Sequence, residues 1–176
     1  RGLGDVYKRQ GPNVRVFDGK TGALHSNFFA YDPAFTGGVR VAAGDISGDG
    51  QSEIITGPGA GGGPHIRVFD GHTASQLPPV GEVPANRLAS EFRAFEEGFT
   101  GGVFVSAGDV NGDGLTELLF GADTDGAELG GQVKLVSVLL PDILPFQRVL
   151  DQEVITSFRA FNPEFNGGCL LYTSPS

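Results

Sequence analysis

The chain has 176 residues, a formal net charge of −9 and 29 glycines with no collagen period. Its acidity disfavours nucleic acid and anionic membranes as partners and suits cation binding. No apolar run approaches the ~20 residues of a membrane helix, and the single cysteine, Cys169, leaves no intrachain disulfide.

The two ends read as translated sequencing adapter. Arg1–Gln10 back-translates as CGT GGG CTC GGA GAT GTG TAT AAG AGA CAG. Cys169–Ser176 back-translates as TGT CTC TTA TAC ACA TCT CCG AGC, the reverse complement of part of the first string. Natural termini have no reason to be so related, so both are set aside from fold reasoning and expected to add nothing to stability. Gly11–Gly168 is the expected insert, cut from a longer gene. A missing leader or anchor then carries no meaning. Without Arg1, Lys8, Arg9 and Asp5 the charge moves from −9 to −11. The insert has no cysteine, so cysteine usage does not fix a compartment.

Residues 11–37 open with a β-patterned run, Asn13-Val-Arg-Val-Phe-Asp-Gly19, followed by Phe28-Phe-Ala-Tyr31 and Phe35-Thr-Gly-Gly38. All three recur. His65-Ile-Arg-Val-Phe-Asp-Gly71 repeats the first. Phe92-Arg-Ala-Phe95 and Phe158-Arg-Ala-Phe161 repeat the second, and Phe99-Thr-Gly-Gly102 and Phe165-Asn-Gly-Gly168 the third. Residues 11–37 are therefore read as the end of a preceding unit, with full units at 38–101 and 102–168, the latter running into the start of the next. The first full unit predicts strands near 38–43, 53–57, 65–69 and 91–96. The second predicts 102–107, 117–121, 132–138 and 155–161. Val39/Val41/Ala43 and Val103/Val105/Ala107 alternate at period two, as half-buried strands do. In the second unit Gln132-Val-Lys-Leu-Val replaces the arginine strand. Leu139–Asp151 replaces the proline-rich 71–90 loop, and Pro141 and Pro145 argue against a helix there.

Between the first two strands of each unit lies an oxygen-rich turn. Asp45-Ile-Ser-Gly-Asp-Gly-Gln-Ser-Glu53 recurs as Asp109-Val-Asn-Gly-Asp-Gly-Leu-Thr-Glu117. Side-chain oxygens fall at loop positions 1, 3, 5 and 9: Asp45, Ser47, Asp49 and Glu53, then Asp109, Asn111, Asp113 and Glu117. Position 7, Gln51 or Leu115, would offer its backbone carbonyl. Alternate oxygens on a tight loop suit a hard cation such as calcium. An EF-hand is excluded, because its position 12 would be Thr56 or Phe120 instead of Glu. The plain alternative is a solvated Asp/Gly turn.

Other features carry less chemistry. Gly57-Pro-Gly-Ala-Gly-Gly62 fits a dinucleotide fingerprint, but a strand follows where a helix is required, so a turn is expected. His65 stands where the other copies have Asn13 and Gln132, which speaks against an imidazole-based catalytic centre. Arg15 and Arg67 share a repeat position, with Lys134 near it, and are read as ion-pair partners of acids on neighbouring strands, with a binding face as the alternative. Asp123–Glu128 is acidic but out of loop register and reads as a turn. The 71–90 loop is the most individual surface feature, a candidate binding loop without evident chemistry. Phe28/Phe92/Phe158 and Phe35/Phe99/Phe165 are read as aromatics wedged between units.

Four-strand units at this spacing fit a propeller, whose blades cover one another's faces. The order of calcium-type loop, Gly-rich link and arginine strand over nearly all of the insert resembles the FG-GAP/VCBS-type repeats of bacterial secreted and surface proteins, related to the integrin α-subunit head. The resemblance implies an all-β fold: a partial β-propeller of four-stranded antiparallel blades, about two and a half blades of a longer ring. It implies two structural Ca2+ sites, with ligands Asp45, Ser47, Asp49, Gln51 (carbonyl) and Glu53 in one. Asp109, Asn111, Asp113, Leu115 (carbonyl) and Glu117 form the other. Two positions depart from the family. Position 9 is Glu where Asp is usual, and Ser47 is a weaker ligand than Asn111. The implied setting is extracellular or cell-surface, with neighbouring blades and an unknown protein or carbohydrate ligand as partners, and no nucleic acid or membrane insertion. The implied role is non-enzymatic adhesion or scaffolding; the rival is the propeller part of an extracellular carbohydrate-active enzyme.

Overall fold

A computed structural model describes residues 11–74, 77, 83, 88–123, 131–139 and 151–161. Both adapter-like ends, Phe165, residues 124–128, the 140–150 stretch and much of the 71–90 loop lie outside these. The described residues form ten strands: β1 (Asn13–Phe17), β2 (Leu24–Phe29), β3 (Val39–Gly44), β4 (Glu53–Pro58), β5 (His65–Phe69), β6 (Ser90–Arg93), β7 (Val103–Gly108), β8 (Glu117–Ala122), β9 (Gln132–Leu139) and β10 (Asp151–Arg159). No α-helix occurs among them.

The chain is all-β, with three antiparallel sheets. β1 and β2 pair alone, β3-β4-β5-β6 form a four-stranded meander, and β7-β8-β9-β10 form another. The second meander repeats the first in register: Ala43 opposes Ile54 as Ala107 opposes Leu118, and Ile66 opposes Phe92 as Val133 opposes Phe158. β10 starts at Asp151, which pairs with Leu139. The stretch expected to replace the loop therefore has paired strand ends at both boundaries. Extended pairing continued where the repeat had degenerated and left no motif to mark it.

The sheets stack face to face, with the β3–β6 sheet in the middle. Period-two alternation sends Val14, Phe28, Ile54 and Phe69 into one core, between the first sheet and the middle one. Ile55, Ile66 and Val68 enter a second core with Val103, Leu118, Phe120 and Val136 of the third sheet. β4 is buried at every position because it is covered on both faces. Phe28 meets Phe69 at 4.7 Å between ring centroids, and Phe92 meets Phe120 edge-on at 5.6 Å, geometries that favour aromatic pairs. Phe99 is buried and Phe35 and Phe92 are half-buried against these cores. The expectation fails at Phe158, which is 52% exposed: no further sheet among the described residues packs on the third.

Close backbone approach requires glycine at the sheet edges near Gly37 and Gly59. A Cβ on Gly59 would lie 1.8 Å from the Gly37 carbonyl oxygen, and the Gly59 N–H donates to the Gly38 carbonyl at 3.0 Å. Of the Gly57–Gly62 segment, Gly57 and Pro58 end β4 and the rest is a turn, which locks the end of β4 to the start of β3, with β5 following.

Tyr31 ties the first sheet to the middle one. Its hydroxyl lies 3.0 Å from the Thr56 carbonyl oxygen and 2.8 Å from that of His65. Burial pushes the phenol above its ordinary value, because the anion would lose its hydration. The folded state therefore holds its proton where the unfolded chain, near pH 10, releases it. The associated stability is complete below about pH 10 and is lost as pH rises through the folded value. Tyr31→Phe is expected to cost about 1–2 kcal/mol at pH 7, because the single O–H shared between the Thr56 and His65 carbonyls is lost. Its deficit against wild type should shrink at pH 10.5. Urea unfolding at both values checks this.

Candidate metal centre

Both loops leave the first strand of a meander at a glycine (Gly44, Gly108) and enter the second at a glutamate (Glu53, Glu117). The sharp reversal needs left-handed backbone at the sixth loop position, supplied by Gly50 (φ 85°) and Gly114 (φ 90°). The loops are neighbours. A Cβ on Gly48 would sit 3.4 Å from Leu115 Cδ2, and one on Gly44 would sit 2.6 Å from Thr116 Cγ2.

Backbone amides organise the carboxylates. Asp45 Oδ1 accepts from the Gly48 N–H at 2.7 Å and Oδ2 from Gly50 at 2.8 Å. Asp109 does the same with Gly112 at 2.6 Å and Gly114 at 3.0 Å. These N–H groups hold the Asp109 carboxyl below the usual carboxylate range. Asp49 accepts from Gln51 N–H at 2.9 Å, and Asp113 from Leu115 N–H at 2.8 Å. Gln51 and Leu115 thus enter the loops through their backbone, and the Leu115 side chain is exposed.

The position-9 acids are the most distinctive groups. Glu53 and Glu117 are 3% and 1% exposed, while the other loop acids lie near the surface. Glu53 Oε2 accepts from the N–H groups of Ile46 (3.0 Å) and Ser47 (3.1 Å). Glu117 Oε2 accepts from Val110 at 2.9 Å. Burial nevertheless holds Glu53 above the ordinary range, and the nearby Asp49 charge adds to this. A buried carboxylate facing a second carboxylate is a place where positive charge is favoured.

The third position distinguishes the loops. Asn111 Nδ2 donates to Asp113 Oδ2 at 2.9 Å and to Glu117 Oε1 at 3.2 Å, which joins three of the expected ligands. The Ser47 hydroxyl makes only a long 3.5 Å contact with Asp45 Oδ1, while its N–H serves Glu53. Among the described residues, no three His, Cys, Asp or Glu side chains converge as a ready metal cage. The carboxylates instead hold their own loop together. The donor set is oxygen alone, with no imidazole or thiolate, so its chemistry fits calcium and not zinc.

The remaining candidates resolve into structure. Arg67 pairs with Glu91 at 3.1 Å, donates to the Ala30 carbonyl at 2.8 Å and lies over the Tyr31 ring at 5.2 Å. Lys134 lies over Phe95 at 5.1 Å, and Arg15 Nε donates to Asn13 at 3.3 Å. His65 Nε2 accepts from Arg93 Nε at 3.2 Å. Sequence reasoning missed Arg40. It pairs with Asp123 and stacks 3.9 Å from the Phe104 ring centroid, linking the middle sheet to the third.

No protein-family model matches the chain, and no curated protein matches it significantly. Among the described residues no helix is long and apolar enough to cross a membrane.

Proposed function

We propose that this chain is a calcium-stabilised, non-enzymatic β-propeller segment of an extracellular or cell-surface protein. Each four-stranded meander is a blade, and β1–β2 are the last two strands of the preceding one. The observation that carries the reading is the repetition of one oxygen loop at one strand junction, each time closed by a buried glutamate. Asp45, Ser47, Asp49, the Gln51 carbonyl and Glu53 would hold one ion, and Asp109, Asn111, Asp113, the Leu115 carbonyl and Glu117 the other. Bound calcium would supply the positive charge that clustered carboxylates need and hold the loop against opening. Backbone amides already shape both loops, so little ordering remains for binding to impose. The blade edges and the 71–90 loop are left to recognise a protein or carbohydrate partner, in an adhesive or scaffolding role.

Thermal melts in chelator, calcium and magnesium test this. With dissociation constants of about 0.1–1 mM, 10 mM calcium should add about 1.4–2.7 kcal/mol per site. That corresponds to a rise of about 5–15 °C for two sites. Magnesium, which demands a tighter octahedron, should do much less. Equal melts in all three conditions would reduce the loops to turns.

A further inference from the structure

Asn111 and Gly112 set a side-chain amide beside an unhindered peptide nitrogen. Glycine has no Cβ to obstruct approach to its nitrogen, and both residues are exposed to water in the 109–117 loop. Among the described residues no other asparagine precedes a glycine. Asn13 and Asn27 precede Val14 and Phe28, whose side chains crowd the nitrogen. The chemistry this pair supports needs only water. The Gly112 nitrogen gives its proton to solvent and bonds to Asn111 Cγ. The Cγ–Nδ2 bond breaks, and ammonia leaves with a proton as a five-membered imide closes. Water then adds at either imide carbonyl and reopens the ring, leaving aspartate or isoaspartate.

The hydrogen bonds of the loop both restrain this reaction and are undone by it. The Gly112 N–H, whose proton must go, is held by Asp109 Oδ1 at 2.6 Å. Asn111 Oδ1 accepts from the Asp113 N–H at 2.8 Å. Asn111 Nδ2 donates to Asp113 Oδ2 at 2.9 Å and to Glu117 Oε1 at 3.2 Å. These bonds are local to an exposed loop, the kind of structure that opens at low free-energy cost. After conversion to aspartate, an oxygen stands where Nδ2 donated. It faces two carboxylates, one of them the buried Glu117, and like charges at that range repel. The 45–53 loop has Ser47 at this position, with no amide to convert.

We propose that Asn111 is a site of spontaneous deamidation, and that its conversion turns the 109–117 loop from one held by its own amide into one that needs a cation. The cation dependence rests on the calcium reading; the modification itself does not.

Peptide mapping of wild-type protein aged in warm, mildly alkaline chelator buffer tests the site. Asn111 is the sole asparagine between Arg93 and Lys134, so trypsin isolates it and the amide-to-acid mass gain of that peptide reads its conversion. Asn111 should convert at least about tenfold faster than Asn13 or Asn27, where a side chain hinders the nitrogen. Asp109→Ala should raise the rate about threefold or more, because the Gly112 N–H is released and the loop opens more often. Melts of Asn111→Asp read the consequence. In chelator it should melt about 3–6 °C below wild type. Asn111→Ala, which loses the donor without adding charge, should fall less. In calcium the Asn111→Asp deficit should close. Conversion at Asn111 no faster than at Asn13 and Asn27 would overturn the site, and an Asn111→Asp melt equal to wild type in chelator would overturn its effect on the loop. A wild type that responds to calcium beside an Asn111→Asp deficit that calcium leaves open would overturn the switch while the calcium reading stands. Conversion and chelator loss as expected, with no calcium response in either protein, would uphold the modification and remove its cation dependence together with the calcium reading.

Discussion

Phe120→Ala should destabilise the chain by about 3–5 kcal/mol, the range for removing a buried phenylalanine. Phe120 is fully buried on β8, inside the core shared by the middle and third sheets, and meets Phe92 edge-on. Truncation would leave a cavity between the two sheets, among Ile55, Ile66, Phe92 and Leu118. The equivalent position in the middle sheet is Thr56, whose hydroxyl lies 3.3 Å from Tyr31, so the two junctions are not interchangeable. Phe120→Leu keeps most of the volume and should cost about 1–2 kcal/mol. Phe158→Ala, at an exposed position of the same sheet, should stay within about 0.5 kcal/mol. The chain has no tryptophan, so urea unfolding followed by circular dichroism provides the readout. Equal losses at Phe120 and Phe158 would contradict the stacking of the sheets.

The second large effect is expected at the loops. Asp109→Ala removes one anchor carboxylate, and Asp45→Ala the other. Each should roughly halve the calcium-induced stabilisation. Each should also lower the calcium-free melt, because the N–H groups of Gly112 and Gly114, or of Gly48 and Gly50, lose their acceptor. The two variants should differ in calcium demand. Asp109→Ala leaves the loop with Ser47, a weaker ligand than Asn111 whose hydroxyl lies a long 3.5 Å from Asp45. Asp45→Ala leaves the loop in which Asn111 already bridges Asp113 and Glu117. Half-maximal stabilisation should therefore need more calcium in Asp109→Ala. Melts of both variants across a calcium series check this. An unchanged calcium increment in either variant would remove that loop from the account.

Much of this fold was legible because its physics is local and repeated. Alternation at Val39/Val41/Ala43 and at Val103/Val105/Ala107 marked β3 and β7 as strands, and the Asp/Gly loops marked where each strand turns into the next. In β3 the expected inward face fails: Val41 is 49% exposed and Ala42 packs on the core instead. The loop hydrogen bonds follow from sequence too, since Asp45 and Asp109 face amides only a few residues away. What escaped depends on neighbours far along the chain. Arg40 and Asp123 lie 83 residues apart, and nothing in either segment announces the other. Phe158 shares its motif with buried Phe28 and half-buried Phe92, but burial is decided by the sheet opposite, which a motif does not record. The two glutamates were legible as loop acids at position 9. Their burial was not, because it arises from the sheets packed around them.

Isothermal titration of folded wild-type protein with calcium tests the central claim most directly. The account predicts two ions per chain with dissociation constants of about 0.1–1 mM, and one ion in each of Asp45→Ala and Asp109→Ala. No uptake at millimolar calcium by a soluble, folded wild type would contradict it.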